Sequence, residues 1–334
     1  MKIDVFTHIM PAGYLQRIGQ GTAHDPGMSK RVANIAALHD LQTRLRMVEQ
    51  FGDYQQILSL ASPPIEVLAG PDRSAEIARS ANDAMAEICA KHRDHFPSFV
   101  ASLPVNNPAE AVKEIDRAIT KLNACAVQIF TNVAGHPLVE PQYFPIFERA
   151  AHHDRVIFMH PARSAQFTDY PSESESKYEL WWALGWPYET SVAMARMVYA
   201  GFFDKLPNLK ILTHHLGGMI PYFEGRVGAG LDQIGTRTPG QDHQALVGGL
   251  KRRAFDYYKM FYADTALFGS LPATRCGLAF FGVDHCLFAS DSPFDPEGGT
   301  MFIRETIRVL DALEISAADR QKLYEGNARR LLKL

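Results

Sequence analysis

The chain has 334 residues, 46% of them hydrophobic, and a formal net charge of -3 from 34 Lys and Arg against 37 Asp and Glu. Charges of both signs are well mixed, so there is no basic face for nucleic acid and no acidic tail, and a small neutral or anionic substrate fits better than a polymer. No apolar run is long enough to span a bilayer and the first residues lack the layout of a signal peptide, which predicts a cytoplasmic protein with no membrane attachment.

The first strand, Ile3-Asp4-Val5-Phe6-Thr7, runs into His8. A polar, glycine-containing segment over 19–30 follows, and then Leu41, Leu45 and Val48 predict a helix over 40–51 before a strand over 56–60. Pro63-Pro64 interrupt the chain ahead of a helix over 73–91 and a strand over 96–101. A helix over 108–122 with acidic residues in its first turn, a strand over 126–130 and a helix over 141–152 come next. The fifth strand, 156–159, ends in His160-Pro161, and the sixth, 209–213, ends in His214-His215 followed by Gly217-Gly218. The seventh strand spans 260–263, and the eighth, 286–289, runs through Ser290 into Asp291. Helices are expected over 189–206, 269–281, 300–313 and 316–332. Eight strands alternating with helices predict an α/β fold, a single (β/α)8 TIM-like barrel over 1–334. The four cysteines, Cys89, Cys125, Cys276 and Cys286, lack the close pairing of a zinc knuckle and read as core residues.

Several of these strands end in a residue able to bind a metal or exchange a proton near neutral pH: His8, His160, His214-His215 and Asp291. Carboxyl ends of strands converge on one face of such a barrel, so residues far apart in sequence can meet there. Taken alone, His214 and His215 read as ordinary loop histidines, and recurrence of the pattern is what makes them candidates. An insertion of about 162–188 breaks the rhythm and holds all three tryptophans, Trp181, Trp182 and Trp186. On the catalytic face it could wall a flat substrate, and the competing reading packs the tryptophans under the loop or between subunits.

Trp186-Pro187-Tyr188-Glu189-Thr190, the run over 201–210, His215-Leu216-Gly217-Gly218, Pro221 and Arg226 resemble the amidohydrolase-related family (amidohydrolase 2), which includes aminocarboxymuconate semialdehyde decarboxylase and related carboxy-lyases. Met159-His160-Pro161, Asp264-Thr265-Ala266 and Ser290-Asp291-Ser292-Pro293-Phe294 extend the resemblance over almost the whole chain. It implies a barrel of the metal-dependent hydrolase type, with His8, His160 and Asp291 as ligands of a divalent metal, zinc, and His215 handling water or a substrate proton. The first member of the family's first-strand ligand pair is missing, its place held by Phe6. Two outcomes follow: a weakened site completed by water or by His215, or no metal, with His160, His215 and Asp291 as an acid–base cluster in which the carboxylate raises an imidazole pKa.

The resemblance also implies that Arg226 reaches into a neighbouring subunit's site, hence a homodimer, and that Arg31 stands near a substrate-binding position. Arg163, three residues past His160, lies on the catalytic face by position, and a guanidinium there could hold a carboxylate. For Arg31 and Arg163 the competing reading is a surface or structural ion pair. Glu189 also matches a family position and reads equally as a helix cap. Trp182 completes the substrate-binding candidates. The expected activity is nonoxidative decarboxylation of a small aromatic or unsaturated carboxylic acid, with Asp291 or His215 delivering the proton. The alternatives are a hydrolase or hydratase in which His215 activates water, and a noncatalytic binding protein on the same scaffold.

Overall fold

The computed structural model describes residues 1–12, 14, 17, 28–239, 243 and 247–334, so the segment expected over 19–30 lies outside the described residues except for 28–30. Among the described residues eight parallel strands alternate with helices: β1 (Lys2–Ile9), β2 (Tyr54–Leu60), β3 (Val100–Ser102), β4 (Ala126–Phe130), β5 (Val156–His160), β6 (Ile211–Thr213), β7 (Tyr262–Asp264) and β8 (Cys286–Leu287). β1 pairs with β2, and β3 to β8 form a second ladder in chain order. Continuous ladders do not cross the two seams between them. A bridge from Leu58 to Phe99 spans one seam, and Val5 N–H donates to Phe288 O at 3.0 Å across the other. The strands thus follow one another in the circular order of a (β/α)8 barrel.

β1 is buried from Ile3 to Ile9, and its run of apolar residues suits a strand covered on both faces. One core cluster takes Ile3, Ile57, Val100, Ala126, Val156, Leu212 and Leu287, with Tyr262 packed against it. Side chains from all eight strands can meet in this way only on the enclosed face of the ring. The larger cluster packs the outer faces against helices such as α1 (Leu41–Glu49), α2 (Pro71–Lys91) and α3 (Pro108–Lys121). α1 starts at Asp40, whose carboxylate accepts from the backbone N–H of Gln42 at 3.0 Å and of Thr43 at 3.3 Å. α3 starts at Asn107, followed by proline at the first helical position, and buries Ala111, Glu114, Ile115 and Ala118 on one face.

Two expected helices differ. In place of 189–206 the chain forms α4 (Gly185–Tyr199) and a separate turn over Phe202–Lys205. Gly201, at φ +71°, ends the first helix by a conformation that other residues adopt only with strain. The helix expected over 316–332 is interrupted by a π-helical turn at Lys322–Gly326 before α5 (Asn327–Leu332). All four cysteines are free thiols, three of them buried. Among the described residues no helix is long and apolar enough to cross a membrane.

Candidate metal centre and active site

His8 lies in β1, His160 is the last residue of β5, His214 follows β6 directly and Asp291 lies beyond β8, so all four stand toward the carboxyl ends of strands. All four are buried, and one ligand atom from each lies within 4.8 Å of the others. His8 Nε2 is 2.9 Å and His214 Nε2 3.3 Å from Asp291 Oδ1. Each imidazole is held from behind through Nδ1. His160 Nδ1 donates to Pro161 O at 2.7 Å, His214 Nδ1 to Asp264 Oδ2 at 2.6 Å, and His8 Nδ1 stands 3.3 Å from Ser59 Oγ. Outer partners of this kind fix the tautomer that presents Nε2 to a metal. Three imidazole nitrogens and one carboxylate oxygen, buried and oriented in this way, fit a divalent cation.

Electrostatics at the cluster divides the histidines. Burial alone would lower the His214 imidazole, but Asp264 and Asp291 overcome it and hold its pKa up at about 9. Burial pushes His160 well below its usual range, helped by the imidazoles of His214 and His8, and burial with His214 also lowers His215. Burial would raise Asp291, yet hydrogen bonds from His214 and His8, with the His215 imidazole close by, hold it well below the usual carboxylate range. Asp291 does pull His160 and His215 upward as expected of a neighbouring carboxylate, but desolvation outweighs it at both, and His214 is the imidazole that ends up raised.

Phe6 is fully buried, its ring stacked on His214 at a centroid distance of 4.1 Å and standing 5.4 Å from His8 and 5.7 Å from His160. It sits among the donors and offers none. Of the four residues whose donor atoms the structure groups together, His214 and not His215 is the one from the end of β6. His215 stands beside it with ring centroids 3.8 Å apart, its Nε2 lying 3.5 Å from Asp291 Oδ2 without a hydrogen bond.

A cavity of about 540 Å³ opens over His160 and Asp291, walled by Trp182, Phe294 and Phe302 with Arg31 at its side. Trp182 lies nearly parallel to Phe268, which in turn stacks on Phe302 at 4.4 Å. Arg31 Nη2 donates to Phe294 O at 2.7 Å and to Asp295 O at 2.9 Å, so it borders the cavity while tying down the loop after β8. Arg163 is not brought to this cavity. It lines a neighbouring one of about 280 Å³ and pairs with Glu189 at 2.8 Å. Glu189 lies inside α4 as that partner, not at the helix start. Arg226 is exposed, on a groove lined by Met219, Ile220, Phe223 and Leu231, away from its own chain's cavity.

His214 and Asp264 are the site residues that sequence reasoning left without a role. Alternation along a strand sends His214 and His215 to opposite faces. His215 and Leu216 instead adopt left-handed conformations, at φ +54° and +48°, which turn both rings toward Asp291. Asp264 accepts from His214 Nδ1 with one oxygen and from the His215 and Ala266 backbone N–H groups with the other, both at 3.1 Å. The signal for it was the Asp264-Thr265-Ala266 match, which carries no statement of partner.

A family model described as amidohydrolase matches residues 7–334. A gamma-resorcylate decarboxylase from Polaromonas sp. is 31% identical over 316 residues, covering 89% of each chain. A 2-amino-3-carboxymuconate-6-semialdehyde decarboxylase from Dictyostelium discoideum is 26% identical, covering 100% of this chain and 92% of the relative. Among solved structures, a dihydroxybenzoic acid decarboxylase from Polaromonas sp. with bound manganese and the inhibitor 2-nitroresorcinol superimposes with a TM-score of 0.78 at 27% identity, covering 100% of this chain and 97% of that one.

Proposed function

The chain belongs to the amidohydrolase family, and from that premise we propose that it is a nonoxidative decarboxylase, a carboxy-lyase, of a small aromatic carboxylic acid. The observation that carries the reading is the cavity itself. Flat walls at Trp182, Phe294 and Phe302 lead down to His160 and Asp291, so a planar ring can enter with its carboxylate toward the donor cluster. Arg31 adds a cation beside the path of an anionic substrate.

A divalent metal, zinc in this reading, would be held by the His8, His160 and Asp291 cluster and would supply positive charge to carboxylate and hydroxyl oxygens of the substrate. The chain's own residues do the rest. Trp182 and Phe294 orient the ring and exclude water. The ring carbon bearing the carboxylate takes a proton, the carbon–carbon bond then breaks, and its electron pair restores the ring as carbon dioxide leaves, so that carboxylate plus proton gives arene plus carbon dioxide. His215 is suited to deliver that proton. Its Nε2 has no hydrogen-bond partner, and once protonated the ring can hand that proton to carbon as an imidazolium. Asp291, 3.5 Å away and kept ionised, stabilises that imidazolium before transfer. Arg226 lies outside its own chain's cavity, and the reading extends to a homodimer in which it serves the partner's site.

The test is carbon dioxide release from a panel of hydroxybenzoates by metal-loaded protein. Release by the wild type, reduced at least about 100-fold in kcat by His215→Ala, is the expected result, removal of an acid–base group being worth about that factor. Incorporation of labelled solvent oxygen into product without carbon dioxide would overturn it in favour of hydration or hydrolysis.

A further inference from the structure

We infer that His214 supplies the donor that position 6 lacks, so that the fourth ligand of the metal centre comes from the end of β6, with Asp264 as its positioning residue. The inference rests on the metal-dependent reading above and deepens it. Phe6 and His8 are both fully buried on β1, and the Phe6 ring stands within 5.7 Å of the rings of His8, His160 and His214. A donor at position 6 would therefore face the same centre. The ring that lies against Phe6 is that of His214, stacked at 4.1 Å; one of its nitrogens belongs to the group of four atoms within 4.8 Å of one another, and its Nε2 stands 3.3 Å from Asp291 Oδ1. The apolar side chain and the additional imidazole are packed as a pair, one closing the floor and the other carrying the donor.

Asp264 makes His214 a ligand in place of His215. Its Oδ2 receives Nδ1–H of His214 at 2.6 Å, which leaves the lone pair on Nε2, and its Oδ1 receives the backbone N–H of His215 at 3.1 Å, which holds the left-handed turn. A carboxylate behind an imidazole raises its basicity and fixes its orientation toward a metal. His215, carried by the same turn, meets Asp264 through its backbone N–H and not through its ring. Three imidazoles with one carboxylate form a set suited to zinc or cobalt, and swapping one imidazole for an oxygen donor would move preference toward manganese.

The test uses metal-stripped full-length protein titrated with Co²⁺ against a chromophoric chelator, beside X-ray absorption at the zinc edge. Wild type and His215→Ala are expected to bind one ion per chain with affinities within about threefold, and their zinc spectra to count three imidazoles. His214→Phe is expected to lose at least about 100-fold in affinity and to change the cobalt visible band. Asp264→Asn should lose about 10- to 100-fold, the usual range for an outer partner of a ligand. The exchange Phe6→His with His214→Phe should regain most of the loss. Unchanged affinity and cobalt spectrum in folded His214→Phe, or two imidazoles in the wild-type zinc spectrum, would overturn the inference while leaving metal dependence intact. The zinc spectrum needs no variant, so it decides even where His214→Phe fails to fold. A wild type that binds no ion would overturn the metal-dependent reading as well.

Discussion

Asp4 shows how much a single buried carboxyl can control in this barrel. It is fully buried in β1, where Oδ1 accepts from Ser290 N at 3.0 Å and Oδ2 meets the hydroxyls of Tyr54, at 2.6 Å, and Ser290. It therefore joins β1, β2 and the strand end that leads to Asp291. Burial raises its pKa from 3.8 to about 7 against the lowering effect of those hydrogen bonds. Between these values the folded chain keeps a proton that the unfolded chain has lost, so stability falls as pH rises through the interval. A shift of roughly three units amounts to at most about 4 kcal/mol. Asp4→Asn removes the titration while its amide can still donate toward the two hydroxyls. In urea unfolding from pH 4 to 8, the wild type should lose stability relative to Asp4→Asn by up to about 4 kcal/mol, the difference opening as pH rises. Parallel profiles for the two proteins would refute the assignment. The sequence showed Asp4 only as a polar residue in an apolar strand, because its partners Tyr54 and Ser290 lie 50 and 286 residues away.

The turn leaving β6 carries the site's local geometry. His215, Leu216, Gly217 and Gly218 all have positive φ, a run that would be severely strained without the two glycines. At Gly218 a Cβ would come within 2.4 Å of the Pro187 carbonyl oxygen in α4, and at Gly217 within 2.7 Å of Phe281. Close packing between this turn and two helices, as well as backbone freedom, requires glycine here. Gly218→Ala should destabilise the chain by about 2 kcal/mol or more, the sum of a left-handed alanine and a clash with backbone. It should also lower kcat, since relief of the clash moves His215 away from Asp291. Wild-type stability and kcat in this variant would show that the turn has room to spare. Gly217-Gly218 were legible as the point where the chain leaves the sixth strand. What was not legible was the hand of the turn, and the hand decides that both His214 and His215 face inward.

At the scale of the whole molecule, the eight strands, their order and the strand-end residues His8, His160 and Asp291 could be read from apolar runs and their terminators. What escaped is what depends on side-chain reach across the ring. Arg163 stands three residues past His160, yet Glu189 draws it into the neighbouring cavity. Asp264 acts only through His214, 50 residues earlier. Arg226 raises the same question between chains. It shares an exposed groove with Phe223, 38% exposed, beside Tyr222, 80% exposed. If a second copy covers this groove, Phe223→Arg places a charge in the contact and separates the chains. Ultracentrifugation should then show dimers for the wild type and monomers for Phe223→Arg. The variant should keep one metal ion per chain, since all four donors come from one chain, and should lose most decarboxylase activity, since Arg226 no longer reaches a partner's cavity. A wild type that sediments as a monomer, or a monomeric variant with full activity, would leave Arg226 a surface residue with no part in the reaction.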